Sequence, residues 1–284
     1  MCGLLQAADV WFAYHPASRT SRADVLQGVS LDVLPDGFVG ILGPNGAGKT
    51  SLLRLLAGTR QPQRGRVTLD GTALARFSRA SLAQRMAIVP QETHLAFDYS
   101  VVEVAMMGRY PHLGTFEIEG PADLAIVDRA LAATGTQALK DRLFATLSGG
   151  EKQRVIIAAA LAQLQMARAE PAHVSHPGIL LLDEPTASLD LAYQLEVAAL
   201  LRSLHADHHV AIVLSTHDLN LASSLCRTLV LLRNGLVIAS GATGDVLTSA
   251  NIRQLYGVDA DVIEHPPGHR VIVPVPRSGF GGHG

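Results

Sequence analysis

Residues 38–57 read FVGILGPNGAGKTSLLRLLA and decide the architecture of this chain. The first five residues form an apolar run of strand length, and the leucines after Lys49 are typical of a helix. Between them, residues 43–50 match the pattern GxxxxGK[ST]. Glycines let successive backbone N–H groups face one centre, and the positive end of the following helix attracts an anion. The stretch therefore predicts a phosphate-binding loop within an α/β protein.

The loop carries groups that suit ATP and Mg²⁺. In this pattern Lys49 reaches the β- and γ-phosphates, and the hydroxyl of Thr50 is a ligand of the metal ion. A chance glycine-rich turn is the alternative, but the strand before the loop and the helix after it argue against that. The residues expected to contact ATP here are Gly43, Pro44, Asn45, Gly46, Ala47, Gly48, Lys49, Thr50 and Ser51.

A second apolar run, residues 179–182, ends in the acidic pair Asp183 and Glu184. A buried strand of this kind would bring Asp183 to the edge of the sheet, where it can hold Mg²⁺, usually through water. Glu184 is predicted to polarise the water that attacks the γ-phosphate, since phosphoryl transfer needs mainly positioning and charge neutralisation. A surface acidic pair is the alternative, and the phosphate loop in the same chain favours the catalytic interpretation.

The segment 147–154, LSGGEKQR, offers a serine hydroxyl and backbone N–H groups at the start of a predicted helix. A plain serine cap would explain SGG but not all eight residues. With this segment the chain resembles the ATP-binding cassette (ABC) ATPases over about residues 4–256. In that family the signature of one subunit closes on ATP held by the phosphate loop of another. The resemblance thus implies a homodimer in which Ser148, Gly149 and Gly150 contact the ATP of the second copy.

Other positions match the family pattern in order. The resemblance implies that Tyr14 stacks on adenine, although an ordinary tyrosine at a strand end remains an alternative. It implies that Gln91 acts in catalysis and senses Mg²⁺, and that His217 touches the γ-phosphate. The loop expected at the dimer interface comprises Ser188, Leu189 and Asp190.

The rest of the chain predicts an α/β fold with a phosphate-loop ATPase core and a mixed sheet. An N-terminal antiparallel β subdomain and an inserted helical subdomain at about residues 92–164 complete one nucleotide-binding domain, residues 4–256. Asn234-Gly235 between two apolar runs predicts a hairpin. The tail, residues 257–284, is rich in Pro, Gly and His. We expect it to add one strand at RVIVPV and to be disordered at residues 278–284.

Composition narrows the functional classes. The 284 residues carry a formal net charge of −2, so no basic field indicates nucleic-acid binding. Cys2 and Cys226 lack the spacing of a zinc site or a disulfide framework. No apolar stretch reaches the roughly 18 residues of a membrane span, and no secretory signal is evident. These features predict a peripheral protein whose membrane role depends on a partner.

Residues 101–112, VVEVAMMGRYPH, resemble the ATPases that import metal chelates such as haem, ferric siderophores and cobalamin. Residues 108–112 would lie near the groove that receives the permease, although an ordinary helix end is the alternative. The resemblance implies two transmembrane permease subunits, an extracytoplasmic substrate-binding protein, and a location on the cytoplasmic face of a bacterial membrane. A soluble ABC ATPase acting on nucleic acid or ribosomes is the rival interpretation, and a non-hydrolysing subunit is a third.

Two departures from the family pattern stand out. Ala159 occupies a position where the family often has arginine, and the separation between Ser148 and Asp183 is longer than usual. The extra length falls at residues 165–177, which read as a surface loop. Its His173 and His176 are expected to be solvated rather than to bind metal.

Overall fold

The structure, a computed structural model, describes residues 3–14, 24–165, 177–187, 189–208, 210–266 and 268–275. Ser188, most of the 165–177 segment and residues 278–284 therefore lie outside the described residues. The strands are β1 (Leu5–Phe12), β2 (Leu26–Val33), β3 (Phe38–Leu42), β4 (Arg64–Leu69), β5 (Thr72–Ala73), β6 (Met86–Val89), β7 (Ile179–Asp183), β8 (Ala211–Thr216), β9 (Thr228–Arg233), β10 (Leu236–Ala242), β11 (Asp259–His265) and β12 (His269–Val275). The helices are α1 (Lys49–Leu56), α2 (Arg79–Arg85), α3 (Val101–Met106), α4 (Pro121–Ala133), α5 (Gly149–Gln163), α6 (Leu191–His208), α7 (Leu219–Leu225), α8 (Thr243–Val246) and α9 (Ser249–Tyr256).

The central sheet has the strand order β10-β9-β3-β8-β7-β6. Its strands pair in parallel except at β10, which forms an antiparallel hairpin with β9 around Asn234-Gly235. Every residue of β3, β7 and β8 is buried, as expected for parallel strands covered on both faces. The predicted mixed sheet and the hairpin at its edge are confirmed.

A second, antiparallel sheet forms the N-terminal part of the fold in the order β2-β1-β4-β5. Its apolar face packs in one core with α1 and with one face of the central sheet. Strands β1 and β2 form the antiparallel pair at its centre and edge, and β1 also pairs antiparallel with β4. The antiparallel pairing agrees with the predicted N-terminal β subdomain.

Helices α3, α4 and α5 lie between β6 and β7 and pack on one another in the larger of the two apolar cores. Ser100 caps α3 and Ser148 caps α5, each through reciprocal hydrogen bonds with a glutamate three residues later. This is the region predicted to be the helical subdomain. Its extent, about residues 92–164, stays a prediction, as does the single nucleotide-binding domain at residues 4–256.

The tail contains more structure than the single expected strand. β12 does form at RVIVPV, but it pairs antiparallel with β11, whose sequence DADVIEH was not recognised as a strand. Charged residues interrupt the apolar pattern of β11, which hid it. The hairpin packs against α7, and β11 packs against α9. Among the described residues, none of the helices combines the length and apolar character needed to cross a bilayer.

Candidate active site

The parallel strands bring the predicted functional residues to one edge of the central sheet. Leu42 at the end of β3 pairs with Thr216 of β8, and Asp183 of β7 pairs with Ser215. The phosphate loop, Glu184 and His217 follow directly after these strand ends. A cavity of about 590 Å³ lies there. Its lining includes Tyr14, Asn45, Gly46, Ala47, Gly48, Lys49, Thr50, Ser51, Gln91, Glu184 and His217.

The phosphate loop depends on glycine at two positions for steric reasons. Gly48 has φ 106°, a conformation that L side chains rarely adopt. A Cβ at Gly43 would come within 2.2 Å of the carbonyl oxygen of Leu232. The loop thus packs backbone against backbone on β9 and turns directly into α1. Pro44 contributes its carbonyl oxygen to the loop interior.

Lys49 is buried and its ammonium group lies inside the loop. Nζ donates hydrogen bonds to the carbonyl oxygens of Gly43 at 2.8 Å and Pro44 at 3.2 Å. It also lies 2.9 Å from Oε1 of Glu184. These contacts hold the side chain extended along the cavity wall, where it can pair with an anion.

Glu184 joins the loop to the histidine that follows β8. Its Oε2 lies 2.9 Å from Nδ1 of His217, while Oε1 faces Lys49. Burial would raise the pKa of the Glu184 carboxyl, but the hydrogen bond and positive charge of Lys49, together with His217, hold that pKa below its usual value. The carboxyl is therefore ionised at neutral pH and able to accept a proton.

Asp183 occupies a buried position at the end of β7. The hydroxyl of Ser215 donates a 2.6 Å hydrogen bond to its Oδ1, and the backbone N–H of Glu184 donates to the same hydroxyl at 3.1 Å. Ser215 was missed by sequence reasoning, although a hydroxyl residue ending an otherwise apolar strand was a usable signal. It orders both acidic residues, so the pair has a defined orientation.

Two side chains with oxygen atoms suitable for Mg²⁺ line the cavity, and a third lies next to it in the chain. Thr50 and Gln91 line it, and Asp183 lies one residue before the lining residue Glu184. Hydroxyl, amide and carboxylate oxygens are the ligands that Mg²⁺ prefers. The chemistry of this donor set fits the ion.

Tyr14 lies at the rim of the cavity with its ring partly exposed. The ring packs edge-to-face on Phe12 with centroids 5.0 Å apart, and its hydroxyl is 3.0 Å from Oγ of Ser51. The amide side chain of Gln63 bonds both the N–H and the carbonyl oxygen of Ala13, which secures this strand end. The position of Tyr14 is compatible with the predicted stacking on a base.

The signature segment lies apart from the loop within one chain. Among the described residues, those lining the 590 Å³ cavity do not include Ser148, Gly149 or Gly150. Ser148 caps α5, and a Cβ at Gly150 would come within 2.3 Å of the Tyr193 ring. A neighbouring cavity of about 320 Å³ is lined by Gly149 together with Gln91 and Glu184. The sharing of one site between two copies stays a prediction.

The residues predicted at the dimer interface lie next to the signature. Leu189 Cδ2 would be 3.3 Å from a Cβ added at Gly149, and Asp190 Oδ1 accepts a hydrogen bond from the N–H of Tyr193. An ion pair between Arg154 and Glu196 also joins α5 to α6. The interface role of Leu189 and Asp190 stays a prediction, and Ser188 lies outside the described residues.

Comparison with known proteins agrees with this geometry. Residues 26–187 match the family model described as ABC transporter. The hemin import ATP-binding protein HmuV of Bordetella avium is 40% identical over 243 residues, covering 85% of this chain and 90% of that protein. HmuV of Gloeobacter violaceus is 43% identical over 242 residues, covering 85% of each.

Solved structures lead to the same class. A chain of a metal-chelate type ABC transporter in an inward-facing conformation has a TM-score of 0.79 at 28% identity, covering 97% of this chain and 98% of that one. CbiO1 of Clostridium perfringens, part of the ABC transporter complex cbiONQ, has a TM-score of 0.72 at 26% identity, covering 89% and 94%. The chain belongs to the ABC transporter family. It is an ATP-binding ATPase of the kind whose hydrolysis is coupled to transport.

Proposed function

We propose that this chain is the ATP-hydrolysing subunit of an importer for a metal chelate, with haem as the cargo favoured over ferric siderophores and cobalamin. The observation that carries the catalytic part is the line of contacts from Lys49 through Glu184 to His217. The assignment of haem as the cargo rests on relatives at 40–43% identity whose names specify hemin import.

The proposed reaction is the attack of water on the γ-phosphorus of ATP. The oxygen of water forms a bond to phosphorus, the bond to the bridging β–γ oxygen breaks, and ADP leaves. Glu184 accepts the proton from water, and Lys49 neutralises the charge on the phosphate oxygens. The ring of His217 contacts the γ-phosphate. Tyr14 holds the adenine.

Thr50, Asp183 and Gln91 would hold Mg²⁺ beside the phosphates. The ion would supply charge neutralisation on the β- and γ-oxygens. Ser215 fixes the orientation of Asp183 through its 2.6 Å hydrogen bond, so this carboxylate is preorganised for the role.

The complete site is proposed to need two copies of the chain. Ser148, Gly149 and Gly150 of the second copy would close on the γ-phosphate, and Ser188, Leu189 and Asp190 would lie across the interface. Two such subunits would pair with two transmembrane permease subunits on the cytoplasmic face of the membrane. A substrate-binding protein on the other side would deliver the chelate to the permease.

A cavity of about 460 Å³ supports permease docking near residues 108–112. It is lined by α2, by residues 57–59 that follow α1, by Met86 and Ile88 of β6 and by Gln163 of α5. Gln84 of α2 donates a hydrogen bond to the carbonyl oxygen of Pro111, which ties this wall to the Met107–His112 turn. The buried side chain of Arg109 secures the turn by bonding Asp123 at 2.9 Å and the carbonyl oxygen of Ala162 at 2.7 Å. A rigid turn beside a cavity suits the transmission of movement to a permease.

A soluble ATPase acting on nucleic acid or ribosomes is not favoured. The formal charge of −2 offers no attraction for a phosphate backbone. The relatives at 40% identity or more are named as import proteins.

Glu184→Gln tests the catalytic proposal. Removal of a general base should lower turnover by at least about 100-fold, while ATP binding is retained. With ATP the variant should elute from a sizing column as a dimer, and adding Ser148→Ala should abolish the dimer but not nucleotide binding by the monomer. Glu119→Gln, at an exposed carboxylate, is the matched control. Turnover at the parent rate would show that Glu184 is not the base.

The cargo is tested in cells that co-express the chain with its permease and binding protein. Uptake of haem, but not of a ferric siderophore or cobalamin, is the expected result. Equal uptake of cobalamin, or failure of the chain to co-purify with the permease, would contradict the assignment.

A further inference from the structure

The C-terminal helix reaches the candidate active site through one side chain. Tyr256 ends α9, directly before Gly257, which closes the helix with φ 72°. Its hydroxyl donates a 3.1 Å hydrogen bond to the backbone carbonyl oxygen of His217. The residues that precede Tyr256 on α9, Ile252 and Leu255, are buried in the larger core. The tyrosine is thus anchored to the body of the protein at one end and to His217 at the other.

The β11–β12 hairpin secures the other side of the segment after His217. Asn220 at the start of α7 accepts a hydrogen bond from the N–H of Ile272 at 2.8 Å and donates one to the carbonyl oxygen of the same residue at 3.3 Å. The N–H of Arg270 donates to Oγ of Ser223 at 3.0 Å. Backbone groups of strand β12 are therefore bonded to two side chains of α7.

These contacts matter because the side chain of His217 is weakly packed. Half of its surface is exposed, in contrast to Lys49 and Glu184, whose side chains are 5% and 11% exposed. Its ring contacts Glu184 through a single 2.9 Å interaction. Packing alone does not fix the ring, so the position of its backbone decides where the ring lies.

We propose that Tyr256 is a positioning residue for His217 and that the C-terminal segment, residues 249–275, acts through it on ATP hydrolysis. The inference rests on the proposed function, in which His217 contacts the γ-phosphate. Tyr256 is not among the described residues that line the 590 Å³ cavity. It restricts the backbone of His217 so that the ring meets the γ-phosphate while remaining bonded to Glu184.

The environment of the hydroxyl suits a permanent donor. Burial raises the pKa of the Tyr256 phenol, and the negative charges of Glu184 and Asp218 raise it further. The phenol therefore keeps its proton throughout the range in which the enzyme would work. A packing role alone would require the ring but not this hydroxyl.

Tyr256→Phe removes the hydroxyl and keeps the aromatic ring, so it tests the hydrogen bond alone. A single hydrogen bond of this kind corresponds to a change in kcat of about three- to ten-fold. We expect kcat for ATP hydrolysis to fall by that factor, with KM for ATP and the melting temperature close to those of the parent. Tyr99→Phe is the matched control, since the Tyr99 ring packs on Phe97 in the helical region. A parental kcat in Tyr256→Phe would overturn the inference.

A double-mutant cycle with His217→Ala gives the second readout. If Tyr256 acts through His217, Tyr256→Phe should leave the residual single-turnover rate of His217→Ala unchanged. An equal fall in both backgrounds would indicate a general structural effect and refute the positioning role.

Failure of the inference and failure of the proposed function are distinguishable in the same assay. Full turnover by Glu184→Gln would remove the proposed function. An inactive Glu184→Gln together with a fully active Tyr256→Phe would remove only the role of Tyr256.

Discussion

The phosphate loop and the signature segment are both glycine-rich and both lead into a helix. The N-termini of these two helices, α1 and α5, differ in how they are capped. Among the described residues, no side chain caps α1, and its first turn holds no acidic residue. At α5 the hydroxyl of Ser148 accepts from the N–H of Glu151 at 3.3 Å, and the Glu151 carboxylate accepts from the N–H of Ser148 at 2.8 Å. The donors at the first helix end have no capping side chain, whereas at the second the N–H groups of Ser148 and Glu151 are bonded within the segment.

The difference explains how similar patterns serve unequal tasks. Free N–H groups and the helix dipole attract phosphate without help from another chain. A carboxylate at the start of α5 already neutralises that dipole, so Ser148 to Gly150 form a weak anion site on their own. We infer that the signature contributes binding energy only when a second copy presents ATP already held by its own loop.

The largest expected effect comes from Lys49→Ala in the first of these sites. Removing the ammonium group leaves Glu184 buried without its partner and facing the phosphates. Loss of one member of such a pair costs about 2–5 kcal/mol, so affinity for ATP should fall by at least about 30-fold. Calorimetric titration of the isolated subunit measures this effect. Lys140→Ala, at an exposed lysine between α4 and α5, is the control. Unchanged affinity for ATP in Lys49→Ala would contradict the assignment of the loop.

A paired glycine test sharpens the contrast. A Cβ at Gly48 would lie 2.9 Å from the carbonyl oxygen of Val25 and would require a positive φ, a strain of about 1–3 kcal/mol. At Gly149 the nearest atom is the flexible Cδ2 of Leu189 at 3.3 Å. Gly48→Ala should therefore lower both stability and binding of ADP by the monomer. Gly149→Ala should leave ADP binding unchanged, and its stability should be equal to that of the parent or higher by up to about 1 kcal/mol.

Denaturant unfolding and titration with ADP check this pair together. Equal effects at the two positions would show that the two helix starts do not differ as described.

The smallest effect concerns the cap of α5. Hydrogen bonds from the backbone and hydroxyl of Ser148 lower the pKa of Glu151. When folding lowers the pKa of a carboxyl, the ionised group stabilises the folded state at pH values above its pKa in the unfolded chain, about 4.3. This stabilisation is lost as the pH falls through the pKa of the folded state. When the pH is lowered from 7 to 4, the parent should therefore lose more stability than Glu151→Gln does. The extra loss should be less than about 1 kcal/mol. Melting temperatures at the two pH values measure this, with Glu119→Gln as control; identical pH dependence in all three proteins would contradict it.

Much of this site could be predicted because its signals are local. The phosphate loop, the acidic pair and the signature each lie within one short stretch, and strand ends in a parallel sheet meet at one edge. The Lys49–Glu184–His217 contacts follow once β3, β7 and β8 are known to be neighbours. Their distances depend on side-chain packing that no local pattern contains.

Most of the contacts that sequence reasoning missed join distant segments. The capping box of Ser148 and Glu151 is the local exception, since its spacing S-x-x-E is visible in the sequence. Tyr256 and β11 gave weaker signals. The tyrosine acquires meaning only beside His217, and the interrupted strand only beside β12 and α9. The buried pair of Arg109 with Asp123 likewise depends on how the turn after α3 meets α4.

The strand that carries the phosphate loop completes its pairing late in synthesis. Gly40 of β3 pairs with Leu214 and Leu229, so both neighbours of this strand come from the last third of the chain. At translation rates of about 5–20 residues per second, the ribosome needs roughly ten to forty seconds to synthesise the chain from the end of β3 to the end of β9. Before β8 and β9 are synthesised, the phosphate loop follows a strand without its two neighbours, and it is not expected to reach its final conformation. A nascent chain should thus acquire nucleotide binding only after β9 has been synthesised, which couples competence for ATP to the presence of β8, β9 and the residues between them.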